Sequence, residues 1–300
     1  MTIRRRHFLQ TAAIAALGQV HAEPPPRMQL GIILGLSTNP DADMKRVHDL
    51  GFPTCQLGVK GERSAGGDAL ATQLRQAMER YKVEVTAAVS GGPGREIYDF
   101  TQGPLTIGLV PRDVRAARIA HMKEVSDFAK KAGIRAVQSH CGFIPENPNN
   151  SLYKETVDAI REVARYCKSN GQNFRCETGQ ETPITLLRAI RDVGLDNVGV
   201  NFDAANLILY GKANPVDAVD ILGPYIQGVH AKDGLYPTDP EKLGEEVPIG
   251  QGKVNFPVFI EKLKKIGYKN PLTIEREIRG DKQTADILAS KAYLERLIKG

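Results

Sequence analysis

Residues 134–177, IRAVQSHCGFIPENPNNSLYKETVDAIREVARYCKSNGQNFRCE, read as one strand–helix–strand unit. IRAVQSH (134–140) predicts a short strand, and the run closing on FRCE predicts another over 173–177. Between them, ETVDAIREVARYCKSNG (155–171) sets apolar residues three and four apart and ends on glycine, the pattern of an amphipathic helix with its stop signal. A crossover of that length lets the two strands run parallel, and repetition of the unit builds a parallel sheet covered by helices.

The unit recurs in both directions. Strands are predicted near 28–34, 53–59 and 83–89 upstream, and near 197–203, 225–230 and 271–275 downstream. DVRAARIAHMKEVSDFAKKAG (113–133), NFPVFIEKLKKIG (255–267) and DKQTADILASKAYLERLIKG (281–300) carry the helical spacing. Eight strands close a barrel, so the expected fold is α/β: a single-domain (β/α)8 TIM barrel over 28–300. An open doubly wound sheet would carry a glycine-rich nucleotide turn after its first strand, and GLSTNPDAD (35–43) lacks one. The glycines at 65–68 and 90–94 read as turns, since no Lys-Ser/Thr pair follows them. Two long connections, 90–112 and 232–255, follow the third and seventh strands on the face where barrel active sites form.

The first residues belong to a different program. Arg5, Arg6, Phe8 and Leu9 match a twin-arginine export pattern, followed by the weakly apolar TAAIAALGQV and a small-residue site at VHA. Residues 1–22 therefore read as a twin-arginine-type signal peptide and 23–27 (EPPPR) as a stiff linker, which implies a periplasmic or otherwise exported protein. The apolar run is too short and too rich in alanine for a membrane anchor. The signal holds three arginines and no acid, so its removal lowers the formal charge from +5 to +2. A nearly neutral chain offers no patch for nucleic acid or an anionic membrane. The four cysteines, Cys55, Cys141, Cys167 and Cys176, are scattered and read as buried free thiols. Nothing in the sequence sets the oligomeric state, and a homo-oligomer stays open.

Four residues close successive predicted strands: Glu177 in FRCETG, Asp203 in VGVNFDAAN, His230 in IQGVHAKDG and Glu275 in PLTIERE. Three carboxylates and an imidazole at the same end of neighbouring strands make a divalent-metal site. Oxygen-rich donors suit Mn²⁺ best, with Mg²⁺, Co²⁺ and Zn²⁺ as alternatives, whereas a structural zinc would recruit thiolates.

CETGQ, NFDAANLILYG, GVHAKDG, PIGQGKVNF and GYKNPLTIEREIRGD resemble the sugar phosphate isomerase/epimerase family of xylose-isomerase-like barrels, most closely over 172–282. That family includes ketose 3-epimerases and hydroxypyruvate isomerases. The resemblance implies that Glu177, Asp203, His230 and Glu275 are its single-metal ligands, and that Glu177 and Glu275 also serve as acid and base. It departs from the related multi-metal apurinic endonucleases. The third strand, VEVTAAVSGG, has no histidine, and Asn206 stands where that branch has one.

A divalent ion chelating a carbonyl and its adjacent hydroxyl would ease proton removal from the neighbouring carbon. Two carboxylates could then take and return that proton. The implied activity is a metal-dependent isomerase or epimerase of an unphosphorylated sugar or sugar derivative. The rivals are a lyase that cleaves a keto-glycoside at the same metal site and a non-catalytic sugar-binding barrel. His140, Gln56, Lys232, Glu277 and Asn206 form the expected substrate-contact set; Lys232 could instead pair with Asp233 on the surface. Arg276 should face the helices, Asp281 should cap the last helix, and His48 and His121 read as surface residues.

Overall fold

Every predicted barrel strand forms: β1 (Leu30–Gly35), β2 (Thr54–Gly58), β3 (Glu84–Val89), β4 (Ala136–His140), β5 (Asn173–Glu177), β6 (Val198–Asp203), β7 (Ile226–Ala231) and β8 (Leu272–Ile274). All pair in parallel, in the order of the chain, and β8 returns to β1 through Leu30↔Leu272, which closes the barrel. The computed structural model describes residues 28–61 and 67–300, so the expected signal (1–22) and linker (23–27) lie outside the described residues. Among the described residues no helix is long and apolar enough to cross a membrane.

The helices seal the outside of the sheet because each has one apolar stripe. Helix Arg112–Ala132 buries Met122, Val125, Phe128 and Ala129 and stops at Gly133, whose φ of +85° is a left-handed cap. Helix Ser151–Ser169 begins where the Asn150 side chain accepts from the Leu152 amide, four residues upstream of the quoted helical run. The barrel interior is unusually polar: Gln56, Gln138 and Asn201 are buried inside it, with Gln56 Nε2 donating to Asn201 Oδ1 at 3.2 Å. Gln138 Nε2 donates to Glu177 and Gln56 Oε1 meets His230, so their contacts lead upward to the strand ends.

Both long connections are tied to the C-terminal face. The first, between β3 and helix Arg112–Ala132, is held by Arg118, whose guanidinium donates to the carbonyls of Pro93, Gly108 and Arg95. Gly108 (φ +72°) lies so close to the Cys141 backbone that any Cβ would collide with it. The second connection begins as a ribbon, Asp233–Gly234 paired with Glu246–Val247. The Asp233 carboxylate gathers the amides of Gly234, Gly250, Gly252 and Val254 at 2.9–3.1 Å.

Three local expectations change. Lys232 and Asp233 are both buried and serve different partners, so they are no surface pair. His121 is buried on the same helix face as Arg118, Met122 and Val125, with Nε2 2.8 Å from Ser90 Oγ. The last helix starts at Asp281, but its cap is Gly280 (φ +83°), and no side chain caps it. Arg276 does face outward, to Asp286 of that helix and Glu246 of the ribbon. The four cysteines are buried and free.

Candidate metal centre

Barrel register delivers the four candidate ligands to one point. Asp203 and His230 are register partners across β6 and β7, and Glu177 closes β5 between His140 and Asn201. Glu275 lies one residue beyond β8, and its amide extends the ladder to the Ala231 carbonyl at 3.0 Å. Each of the four offers a ligand atom, and these atoms all lie within 4.8 Å of one another.

The imidazole is oriented from below. His230 Nε2 lies 2.8 Å from Gln56 Oε1, an acceptor, so that nitrogen carries a proton and Nδ1 is turned to the carboxylates. Nδ1 is 3.1 Å from Glu177 Oε1, 3.2 Å from Glu275 Oε2 and 3.7 Å from Asp203 Oδ2. Gln138 Nε2 donates to the other oxygen of Glu177 at 2.9 Å. Asp203 Oδ1 accepts from the Asn206 amide at 2.8 Å, while Oδ2 is buried and accepts no hydrogen bond.

That orphaned oxygen is the observation against which a metal is tested. Three carboxylates packed together in a buried site repel one another, and an unpaired one is costly. A divalent ion among Glu177, Asp203, Glu275 and His230 Nδ1 would satisfy Asp203 Oδ2 and neutralise the excess charge. The residues fit such an ion.

Within the cluster, protons and Lys232 balance the carboxylate charge. Burial opposes the charged form of His230, but Glu177 and Glu275 overcome it and hold the pKa well above the usual value. Glu177 is pulled down to about 2: burial acts against ionisation, and the charges of His140 and His230 prevail. Glu275 is likewise held well below the usual range, against burial, by Lys232 and His230. Burial dominates at Asp203 and raises its pKa, with Lys232 opposing.

A cavity of about 610 Å³ opens above the cluster, with Glu177, His230 and Glu275 at its base and His140 and Glu277 on its walls. His140 Nε2 is 3.6 Å from Glu177 Oε1. Three members of the expected substrate-contact set do not line this cavity. Gln56 sits in the barrel interior as the partner of His230, since its position on β2 lies two residues short of the strand end. Lys232 is 1% exposed, drawn inward by Glu277 at 2.5 Å, Glu275 at 3.3 Å and Asp203 at 3.6 Å. Asn206 is buried behind it and accepts from Lys232 Nζ at 3.1 Å. Sequence reasoning also missed Gln138, although alternation from His140 would have turned it inward. It missed Glu96 and Tyr98 on the cavity wall as well, because they lie in a connection without periodicity.

Comparison with known proteins agrees with this architecture. A sequence profile described as xylose isomerase-like TIM barrel matches residues 44–297. Protein MJ1311 of Methanocaldococcus jannaschii is 32% identical over 195 residues, covering 61% of this chain; the chain spans 64% of that relative's length. A xylose isomerase domain protein from Planctomyces limnophilus superposes with a TM-score of 0.86 at 34% identity, covering 91% of this chain and 98% of the other. A D-psicose 3-epimerase, solved in the presence of D-fructose, shares the fold with a TM-score of 0.69 at 18% identity, over 91% of this chain and all of that one. With an eight-stranded closed barrel and a profile match over most of its length, the chain belongs to the xylose isomerase-like TIM barrel family.

Proposed function

We propose that this protein is a divalent-metal-dependent isomerase or epimerase of an uncharged ketose or keto-sugar. The observation that carries the reading is the convergence of Glu177, Asp203, His230 and Glu275 within 4.8 Å at the base of an open cavity, with Asp203 Oδ2 left unsatisfied. Similarity of fold to a D-psicose 3-epimerase supports it. Mn²⁺ is the proposed ion, because three carboxylates and one imidazole favour it over ions that seek sulfur. When bound, the ion would supply Lewis-acid polarisation of a substrate carbonyl.

The chain's own residues supply the rest. Glu177 and Glu275 both reach the cavity and are ionised near neutral pH, so each can accept a proton from a substrate carbon. Lys232 sets the charge on the Glu275 side, and His140 on the Glu177 side. If one glutamate takes the proton and the other returns it to the opposite face, the product is an epimer. If one glutamate returns it to the adjacent carbon, the carbonyl has moved.

The test is hydrogen exchange on the substrate. With Mn²⁺ in deuterated water, a screen of ketoses and keto-glycosides should find at least one sugar that gains carbon-bound deuterium, as an epimer or isomer. Free aglycone would redirect the reading to elimination; no exchange on any sugar in the presence of bound Mn²⁺ would end it.

A further inference from the structure

We propose that Glu96 and His140 form a hydroxyl-binding pair on the cavity wall, which selects an uncharged polyol. This rests on the functional reading above. Glu96 Oε1 and His140 Nδ1 are both buried, both without a hydrogen-bond partner, and both belong to residues lining the same cavity. Unsatisfied buried polar atoms are costly unless a ligand completes them. A sugar hydroxyl is suited to the pair, since it donates one hydrogen bond and accepts others.

The seat of Glu96 is built. Arg118, fully buried, ties the Glu96 segment down through three backbone carbonyls. Gly91 makes room for the carboxylate itself: a Cβ there would collide with both carboxylate oxygens, and its three nearest atoms all belong to Glu96. Gly91 has no positive φ, so its backbone conformation does not itself require glycine, and the nearest obstacle to a Cβ is the Glu96 carboxylate. Tyr98 sets its ring edge-on to His140, with centroids 5.9 Å apart, which steadies the imidazole. Glu96 stands outside the four-residue cluster.

The same wall disfavours anions. Among the described residues that line the cavity, Glu96 and Glu277 are carboxylates outside the candidate ligand set, and Lys60 is the one lysine or arginine. A phosphate ester placed against those two carboxylates would be repelled.

Calorimetric titration of the Mn²⁺-loaded protein tests the pair, with D-fructose, D-psicose, D-tagatose, a methyl keto-glucoside and D-fructose 6-phosphate as probes. Glu96→Ala should weaken the best neutral probe by about tenfold or more, and Glu96→Gln, which keeps an acceptor oxygen, should recover most of that loss. Gly91→Ala should weaken binding to the same degree and add nothing in the Glu96→Ala background. Mn²⁺ affinity should be unchanged throughout. Wild-type affinity in Glu96→Ala, an additive effect of Gly91→Ala, or preference for the phosphate ester would overturn the pair while leaving deuterium exchange intact. A wild-type protein that neither binds nor exchanges hydrogen on any probe removes the functional reading, and the pair falls with it.

Discussion

Replacing Glu275 with glutamine is expected to slow deuterium exchange on the substrate by about 10²–10⁴-fold, the range for losing a general acid or base. The melting temperature should stay close to that of the wild type. Glutamine preserves the size of the side chain and one oxygen for the ion, so Asp203, His230 and Glu177 still surround the site. What disappears is the proton acceptor whose ionisation Lys232 and His230 maintain. Because Glu275 is only partly buried, at 16% side-chain exposure, the neutral amide adds little strain. Mn²⁺ is kept saturating and its occupancy measured alongside, so that a rate loss is assigned to the base. A fully active Glu275→Gln enzyme would contradict a two-glutamate mechanism.

The second large effect concerns stability. Glu181 follows β5 in the turn beyond Glu177, is 2% exposed, and has both carboxylate oxygens buried without a hydrogen bond. Burial pushes its pKa up to about 8; Lys212 opposes this, while Glu146 and Glu177 add to it. In the unfolded chain the same group titrates near 4.5. Between those values the folded state holds a proton that the unfolded state has released, so stability falls as pH rises through the window. The contribution is fully present below pH 4.5 and lost by pH 8, and at about 1.4 kcal/mol per pH unit it amounts to roughly 5 kcal/mol. Glu181→Gln removes the titration. Its stability relative to wild type, from urea unfolding in the presence of a chelator, should rise steadily from pH 5 to pH 8. A constant difference across that range would show that Glu181 is ionised in the folded protein.

The strands were legible because each is a short apolar run bounded by polar or glycine-rich sequence, and barrel geometry leaves few other places for eight of them. The candidate ligands were legible for the same reason: a charged residue that ends such a run has to sit at the barrel mouth. Depth was harder to read. Gln56 was placed on the correct strand and Lys232 just beyond one, yet side-chain length and partners decide whether a group reaches the cavity. Lys232 is turned inward by three carboxylates that are far away in sequence. Glu96 and Glu181 belong to connections, where no periodicity reports orientation. His121 was recoverable, since it falls on the helix face that Met122 and Val125 define.

The central claim is that Glu177, Asp203, His230 and Glu275 hold one divalent ion. Mn²⁺ binding to the purified, chelator-treated protein tests it directly, with stoichiometry and thermal shift read together. The account predicts one ion per chain and a clear rise in melting temperature. Both should be lost in Asp203→Asn, which replaces a buried ligand oxygen that accepts no hydrogen bond. A wild-type protein that binds no Mn²⁺ and gains no thermal stability, or an Asp203→Asn variant that binds it equally well, would contradict the account.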